Sequence, residues 1–234
     1  VPNPRSTRHA GSTLLAFDNN NDNVADLLLG DVSFGNVVLA TNGGTTPNTN
    51  SAMASQDTSF PSYDVPVDLT LFPGMFYEDV DNDNVKDLIC SPNTNVLTEN
   101  TNSVWYYKNN GTNSLPNFSF VKDNFLQDET IELGEGAIPS FFDYNADGLM
   151  DMVISNYGYF VRATNTYISK LSLYENTGTS TMPEFTFVTD DYQNISTLTL
   201  GLSLHPTFAD IDNDGDQDMI LGDSEGKLHL LKNS

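Results

Sequence analysis

The stretch with the clearest chemical potential is an acidic loop near the C-terminal end of the sequence. Its aspartates lie mostly at alternating positions, Asp210, Asp212, Asp214 and Asp218. Alternating carboxylates in a tight loop can converge on one point, and Ca²⁺ takes several oxygen ligands at once. Gly215 permits the sharp turn because glycine tolerates positive φ. We expect the backbone carbonyl of Asp216 to supply one more oxygen.

The same pattern occurs three more times, and we number the loops 1 to 4 in chain order. In each loop we expect ligands at the first, third, fifth, seventh and ninth positions, the seventh acting through its backbone carbonyl. These positions are Asp18, Asn20, Asp22, Val24 and Asp26; Asp79, Asp81, Asp83, Val85 and Asp87; Asp143, Asn145, Asp147, Leu149 and Asp151; Asp210, Asp212, Asp214, Asp216 and Asp218. The pattern predicts about four structural calcium sites. Loops 2 and 4 have four carboxylates each and should bind more tightly than loops 1 and 3, which have three.

The sixth position of each loop is Asn or Gly, and these residue types best tolerate the left-handed backbone conformation. The loops are not EF-hands, because an EF-hand has a bidentate Glu at its twelfth position and lies between two helices. The twelfth positions here are apolar: Leu29, Cys90, Ile154 and Leu221. A strand-like segment precedes each loop and an unbroken apolar triplet follows it.

The loops mark an internal repeat whose opening aspartates are spaced by 61, 64 and 67 residues. We expect a single region of four repeats, at about 11–72, 73–138, 139–205 and 206–234, the last truncated. The sequence pattern predicts four antiparallel strands in each complete repeat. Unbroken apolar triplets indicate strands covered on both faces, which favours an all-β propeller of four-stranded blades over an array of β-sandwiches. Because the last repeat stops after its third strand, we expect an incomplete or excerpted propeller.

These loops, each preceded by an aromatic residue and followed by an apolar run, resemble the FG-GAP or VCBS repeat. The resemblance covers nearly the whole chain, although the literal Phe-Gly and Gly-Ala-Pro dipeptides are largely missing. It implies a calcium-binding β-propeller like those of integrin α-subunits and bacterial surface proteins. The Asn-rich composition is similar to that of secreted proteins of Bacteroidota. The family implies no reaction.

Composition excludes several classes of partner. Lys and Arg number 9 against 32 Asp and Glu, a net charge of −23. This balance argues against nucleic acid and anionic membranes, which attract basic surfaces, and no stretch is apolar enough for membrane insertion. The single cysteine excludes an internal disulfide. Because weak calcium sites fill readily outside cells, we expect an extracellular or cell-surface location. A first residue other than Met indicates a processed or excerpted chain.

One insertion offers a candidate partner surface. The segment Asn156–Lys170, between the second and third strands of the third repeat, contains aromatic and basic residues that are costly to expose without purpose: Tyr157, Tyr159, Phe160, Arg162 and Tyr167. They either bind a partner or pack as a long hairpin. We expect Ser91–Ser103, Asn156–Lys170 and Gly43–Leu71 to lie together on the face opposite the calcium loops.

Three functions fit the sequence. The first is a non-enzymatic scaffold that binds a protein or glycan at the cell surface, as in adhesion. The second is a component or cargo of an outer-membrane secretion assembly of the type IX kind. The third, less favoured, is a calcium-dependent polysaccharide-degrading enzyme, which would need a constellation of catalytic side chains that the sequence does not display.

Overall fold

The computed structural model describes residues 11–94 and 97–233. The strands of this part of the chain form four antiparallel sheets in succession, with a small two-stranded hairpin within the third repeat. Two short 3₁₀ segments, Gln127–Glu129 and Tyr192–Thr197, complete the described regular structure. The predicted all-β fold is confirmed. None of the described helical segments has the length and apolarity needed to cross a membrane.

The chain divides into two compact units, with the boundary between Ile131 and Glu132. The first unit contains two sheets whose strands are hydrogen-bonded in chain order. The first sheet has β1 (Ser12–Phe17), β2 (Asp26–Asp31), β3 (Val37–Asn42) and β4 (Met53–Asp57). The second sheet has β5 (Pro73–Glu78), β6 (Asp87–Pro92), β7 (Trp105–Asn109) and β8 (Phe118–Lys122). The fourth strand of the first repeat, which the sequence did not locate within Thr45–Leu71, is β4.

The second unit repeats this arrangement. Its first sheet has β9 (Ile138–Phe142), β10 (Asp151–Ser155), β13 (Leu171–Asn176) and β14 (Phe185–Thr189). The hairpin β11 (Tyr159–Val161) and β12 (Thr166–Ile168) is inserted between β10 and β13. The last sheet has β15 (His205–Ala209), β16 (Asp218–Gly222) and β17 (Leu228–Leu231). Three of the four repeats therefore have the predicted four antiparallel strands.

The apolar triplets form the second strand of each sheet, where both edges are hydrogen-bonded. Every residue of the four triplets is buried or half-buried. Leu28 and Cys90 in the first unit, and Val153 and Leu221 in the second, are fully buried. Full burial of such a side chain contributes about 1.5–3 kcal/mol. This agrees with the prediction of strands covered on both faces.

Within each unit, neighbouring sheets pack through their first strands. In the first unit the Thr13 hydroxyl donates to the Pro73 carbonyl at 2.5 Å, and in the second the Ser140 hydroxyl donates to the Pro206 carbonyl at 2.7 Å. Gly30 lies at the first junction, where a Cβ atom would come within 2.1 Å of the Pro73 oxygen. Repeating sheets that pack in this way are consistent with a β-propeller-like repeat fold.

The up-and-down order of the strands in each sheet corrects one prediction about the loops. The joins β1–β2 and β3–β4 lie at one end of the sheet, and the β2–β3 join lies at the other. Residues 43–52 connect β3 to β4, so they lie at the same end as loop 1. The prediction that all of Gly43–Leu71 lies at the opposite end was wrong, because β4 divides that segment. Asn156–Lys170 and the described part of Ser91–Ser103 connect second to third strands, as expected.

Candidate metal centres

The four acidic loops occupy equivalent places in the four sheets. Each loop joins the first strand to the second, and its opening aspartate directly follows the last residue of the first strand. Its closing aspartate is the first residue of the second strand: Asp26, Asp87, Asp151 and Asp218. Local sequence, rather than distant packing, therefore places the first and ninth positions.

The opening aspartate organises the turn by accepting backbone hydrogen bonds from later loop residues. In all four loops its Oδ2 atom accepts the N–H of the sixth residue, at 2.9–3.1 Å: Asn23 to Asp18, Asn84 to Asp79, Gly148 to Asp143, Gly215 to Asp210. The fifth-position aspartate makes a similar hydrogen bond over a shorter sequence separation: its Oδ1 accepts the N–H of the seventh residue in each loop. The loops hence share one hydrogen-bonded framework.

The ninth-position aspartate anchors the loop to the third strand. All four of these aspartates are fully buried, and their Oδ1 atoms accept the N–H of an asparagine at or just after the end of the third strand, at 2.7–2.9 Å: Asn42, Asn109, Asn176 and Asn233. In loops 1, 3 and 4 the Oδ2 atom also accepts the N–H of the second loop residue. Bonds to a charged acceptor contribute about 1.5–3 kcal/mol each.

The asparagine returns a hydrogen bond to the loop. The side-chain amide of Asn42 donates to the Ala25 carbonyl, that of Asn109 to the Lys86 carbonyl, and that of Asn176 to the Met150 carbonyl. These asparagines were not identified from the sequence as part of the site. Their recurrence at the end of every third strand was the available signal.

Two loop positions adopt the left-handed conformation. At the sixth position φ is +65° for Asn23, +69° for Asn84, +85° for Gly148 and +101° for Gly215, as predicted. The fourth position is also left-handed, which the sequence did not lead us to expect: φ is +63° for Asn21, Asn82 and Asn213, and +60° for Ala146. Ala146 is the one residue of these eight that is neither Asn nor Gly.

The carboxylates converge most clearly in loops 2 and 4. One carboxylate oxygen from each of Asp79, Asp81 and Asp87 lies within 4.8 Å of the others, and Asp210, Asp212 and Asp218 match this arrangement. These are the first, third and ninth positions of the predicted ligand set. Loops 1 and 3 have Asn20 and Asn145 at the third position, whose amide oxygens are also hard ligands for Ca²⁺. Converging oxygens of this kind fit Ca²⁺.

Lysines at or directly after the end of the third strand reach the same carboxylates. The Lys108 ammonium lies 2.5 Å from Asp81 Oδ2 and 2.7 Å from Asp83 Oδ2, and Lys232 lies 2.8 Å from Asp212 Oδ2. The hydrogen bond from Lys108 lowers the pKa of Asp83, and that from Lys232 lowers the pKa of Asp212. Loops 2 and 4 are thus partly neutralised by the protein itself.

The predicted partner residues are brought together in the β11–β12 hairpin. Phe160 pairs with Tyr167 across the two strands, and the Tyr167 ring centroid lies 5.6 Å from those of both Phe160 and Tyr157. Arg162 is exposed at the turn. Tyr159 instead packs on the buried cluster of Leu133, Ile154 and Tyr174, where burial raises its pKa. The hairpin is therefore both packed and partly exposed.

Comparison with protein families agrees with the repeat. The profile of the FG-GAP-like repeat matches residues 79–154 and again residues 143–221, together more than half of the chain. Each match begins at an opening aspartate, Asp79 or Asp143, and ends at the last residue of the apolar triplet after the next loop. A comparison with curated proteins finds no match.

Proposed function

Since the chain belongs to the FG-GAP-like repeat family, we propose that it is a non-enzymatic, calcium-stabilised β-propeller scaffold. It binds a protein or glycan at the cell surface, as an adhesion module does, and it resembles secreted surface proteins of Bacteroidota. In this proposal the repeats form blades of a β-propeller. The observation that carries the proposal is the shared framework of the four loops.

The five predicted ligand residues of each loop would hold the ions. Side-chain oxygens at the first, third, fifth and ninth positions and the carbonyls of Val24, Val85, Leu149 and Asp216 would give five protein oxygens. Ca²⁺ takes 6–8 oxygens, and water commonly completes its shell. Four bound ions would bring the formal charge from −23 to −15, since each ion adds two charges. Partial neutralisation would relieve the repulsion within this acidic chain.

A structural role for the metal is supported by where the loops lie. Each loop ties the first strand to the second and, through the buried ninth aspartate, to the third. A bound ion would cross-link three strands of the sheet. The proposed extracellular location is supported by the same chemistry, because free calcium outside cells is high enough to fill sites with dissociation constants of about 10⁻⁴–10⁻³ M.

The non-enzymatic part of the proposal is supported by the contacts of the reactive residue types. Cys90 is fully buried on β6, and burial raises the pKa of its thiol well above the usual value, which suppresses the nucleophilic thiolate. His229 hydrogen-bonds Asp223 across the tight β16–β17 turn. These contacts are structural.

The calcium proposal is tested by calorimetric titration with CaCl₂ and by thermal melting with and without EDTA. Each site that is saturated at a hundred times its dissociation constant should add about 2.7 kcal/mol of stability. Asp81→Ala should remove one binding event and part of the EDTA effect. Glu184→Ala, an exposed acidic residue outside the loops, is the matched control and should change neither. If the melting temperature is the same with and without EDTA, calcium is not a structural ligand.

The partner proposal is tested on a glycan array with the Phe160→Ala, Tyr167→Ala double variant. Its binding should be weakened while calcium-dependent melting is unchanged. Phe34→Ala removes an exposed aromatic of the first unit and should bind as the wild type does. If the double variant unfolds or binds normally, the hairpin serves packing alone.

A further inference from the structure

One position at or directly after the end of the third strand has a side chain that contacts the acidic loop in repeats 2 to 4, and the chemistry of this side chain differs from loop to loop. The residue is the one directly before the anchoring asparagine: Thr41, Lys108, Glu175 and Lys232 for loops 1 to 4. The backbone framework is the same in all four loops, so this position varies the charge around a constant geometry.

In loop 2 the Lys108 ammonium lies among three of the predicted ligands. Its Nζ atom is 2.5 Å from Asp81, 2.7 Å from Asp83 and 3.5 Å from Asp87 Oδ1. These aspartates hold the third, fifth and ninth positions. The side chain of Lys108 is 23% exposed, so these contacts are less screened than those of a fully solvated lysine. A positive charge in contact with three ligands performs part of the electrostatic role of a metal ion.

Loop 4 shows a simpler form of the same contact, and loop 3 shows the reverse charge. Lys232 reaches the third-position ligand Asp212 at 2.8 Å. In loop 3, Glu175 replaces the lysine: its Oε2 accepts the Tyr144 hydroxyl at 3.2 Å, and its Oε1 lies 3.4 Å from the Asn145 amide. Lysine therefore accompanies an aspartate at the third position, and glutamate accompanies an asparagine.

We infer that this strand position sets how strongly each loop depends on its metal. The inference rests on the proposed calcium function. Lys108 and Lys232 are tethered cations, that is, positive charges held beside the loop by their own side chains. They keep loops 2 and 4 ordered without metal, and Ca²⁺ must either displace them or bind beside them. Glu175 adds a negative charge to loop 3, so this loop depends more strongly on a bound cation. Its carboxylate is also a further candidate oxygen ligand.

The charges of the loops quantify this difference. In loop 2, four carboxylates less one ammonium leave −3, the same as the three carboxylates of loop 1. In loop 3, three carboxylates and Glu175 give −4. The ligand carboxylates alone rank loops 2 and 4 above the others, whereas the ligand carboxylates taken together with this one neighbouring residue rank loop 3 first. Calcium affinity rises with the negative charge of its ligands.

The test replaces the tethered cation and measures metal binding in the whole chain. Lys108→Met keeps the length of the side chain and removes its charge. Lys122→Met is the matched control, because Lys122 forms an ion pair of similar length with Asp128, which is not a loop ligand. Binding is measured by calcium calorimetry and by competition with Tb³⁺. Tyr106, whose hydroxyl lies 3.3 Å from Asp87 Oδ2, is placed to sensitise Tb³⁺ luminescence at loop 2.

Lys108→Met should tighten binding at loop 2 by about threefold to tenfold, the scale expected when a solvent-accessible ion pair no longer competes with the metal. It should also lower the melting temperature in EDTA and widen the gap between EDTA and calcium. Lys122→Met should leave the affinity and the gap unchanged.

The outcomes separate this inference from the proposed function. If the wild type binds no metal, the calcium proposal fails and the inference fails with it. If the wild type binds and Lys108→Met binds equally or more weakly, the inference alone is overturned. If Lys108→Met does not fold in EDTA, Lys108→Gln and Lys232→Met are measured in the same way, and unchanged affinity in both would overturn it.

Discussion

Replacing Tyr107 by Phe should stabilise the protein. Tyr107 lies on β7 with its side chain fully buried, and among the described residues its hydroxyl has no hydrogen-bond partner. Its ring packs against Trp105 and Phe120, with centroid distances of 6.4 and 5.5 Å. Burial raises the pKa of the phenol far above its usual value. The hydroxyl thus gives up its bonds to water on folding and regains none.

The size of the effect follows from that loss. A buried polar group without a partner costs about 1–3 kcal/mol, and phenylalanine keeps the ring and its contacts. The free energy of unfolding should therefore rise by about 1–2 kcal/mol, which corresponds to about 2–4 °C per kcal/mol for a chain of this size. Urea unfolding and calorimetry in saturating calcium measure both quantities.

The neighbouring residue provides the control. Tyr106 is also largely buried, but its hydroxyl donates to Asp87 Oδ2 at 3.3 Å. Tyr106→Phe should lower stability by about 1 kcal/mol, because it removes a bond to a buried carboxylate. If Tyr107→Phe destabilises as much as Tyr106→Phe does, the Tyr107 hydroxyl is satisfied, for example by a buried water, and the expected gain is refuted.

Three further perturbations test the loops and one turn. Ala146→Asn should raise the melting temperature, because a left-handed residue costs alanine roughly 1 kcal/mol more than asparagine; Ala146→Val should lower it. Asp26→Asn should cost about 2–3 kcal/mol in urea unfolding even with EDTA present, since an amide cannot accept both N–H bonds that Asp26 receives. The hydrogen bond from His229 lowers the pKa of Asp223 to about 2, below its ordinary value of 3.8. Its stabilising effect is present above about pH 4 and is lost as the pH falls through about 2; the acid unfolding curve of Asp223→Asn should lack this contribution.

Much of the fold could be predicted because the informative signals are local. The alternating aspartates, the Asn or Gly at the sixth position and the apolar triplets all lie within a dozen residues of one another. Together they located the loop and the two strands that it joins in every repeat. The fourth strand of the first repeat was not located, because Met53–Asp57 is polar and largely exposed and so carries no alternating pattern.

The parts of the site that could not be predicted depend on pairs of residues distant in the sequence. The contact between Asp87 and Asn109 crosses 22 residues, and that between Lys108 and Asp81 crosses 27. Only the register of strands two and three brings them together. Without that register the carboxylates could be counted, but the lysines that neutralise them could not be assigned to a loop. The sequence left open whether the hairpin residues pack or bind a partner for a similar reason, since the partial burial of Tyr159 depends on how the hairpin folds back on Tyr174.

The loop aspartates carry both the backbone geometry and most of the charge, whereas one neighbouring position changes the charge alone. The first, fifth and ninth aspartates hold the turn by accepting hydrogen bonds from backbone N–H groups. Replacing them disturbs shape and charge together. The strand position occupied by Thr41, Lys108, Glu175 or Lys232 changes the charge while those bonds are kept. Chelation should therefore act unequally, and hydrogen exchange should show loop 3 losing protection before loops 2 and 4, whose lysines remain in place when the metal is removed.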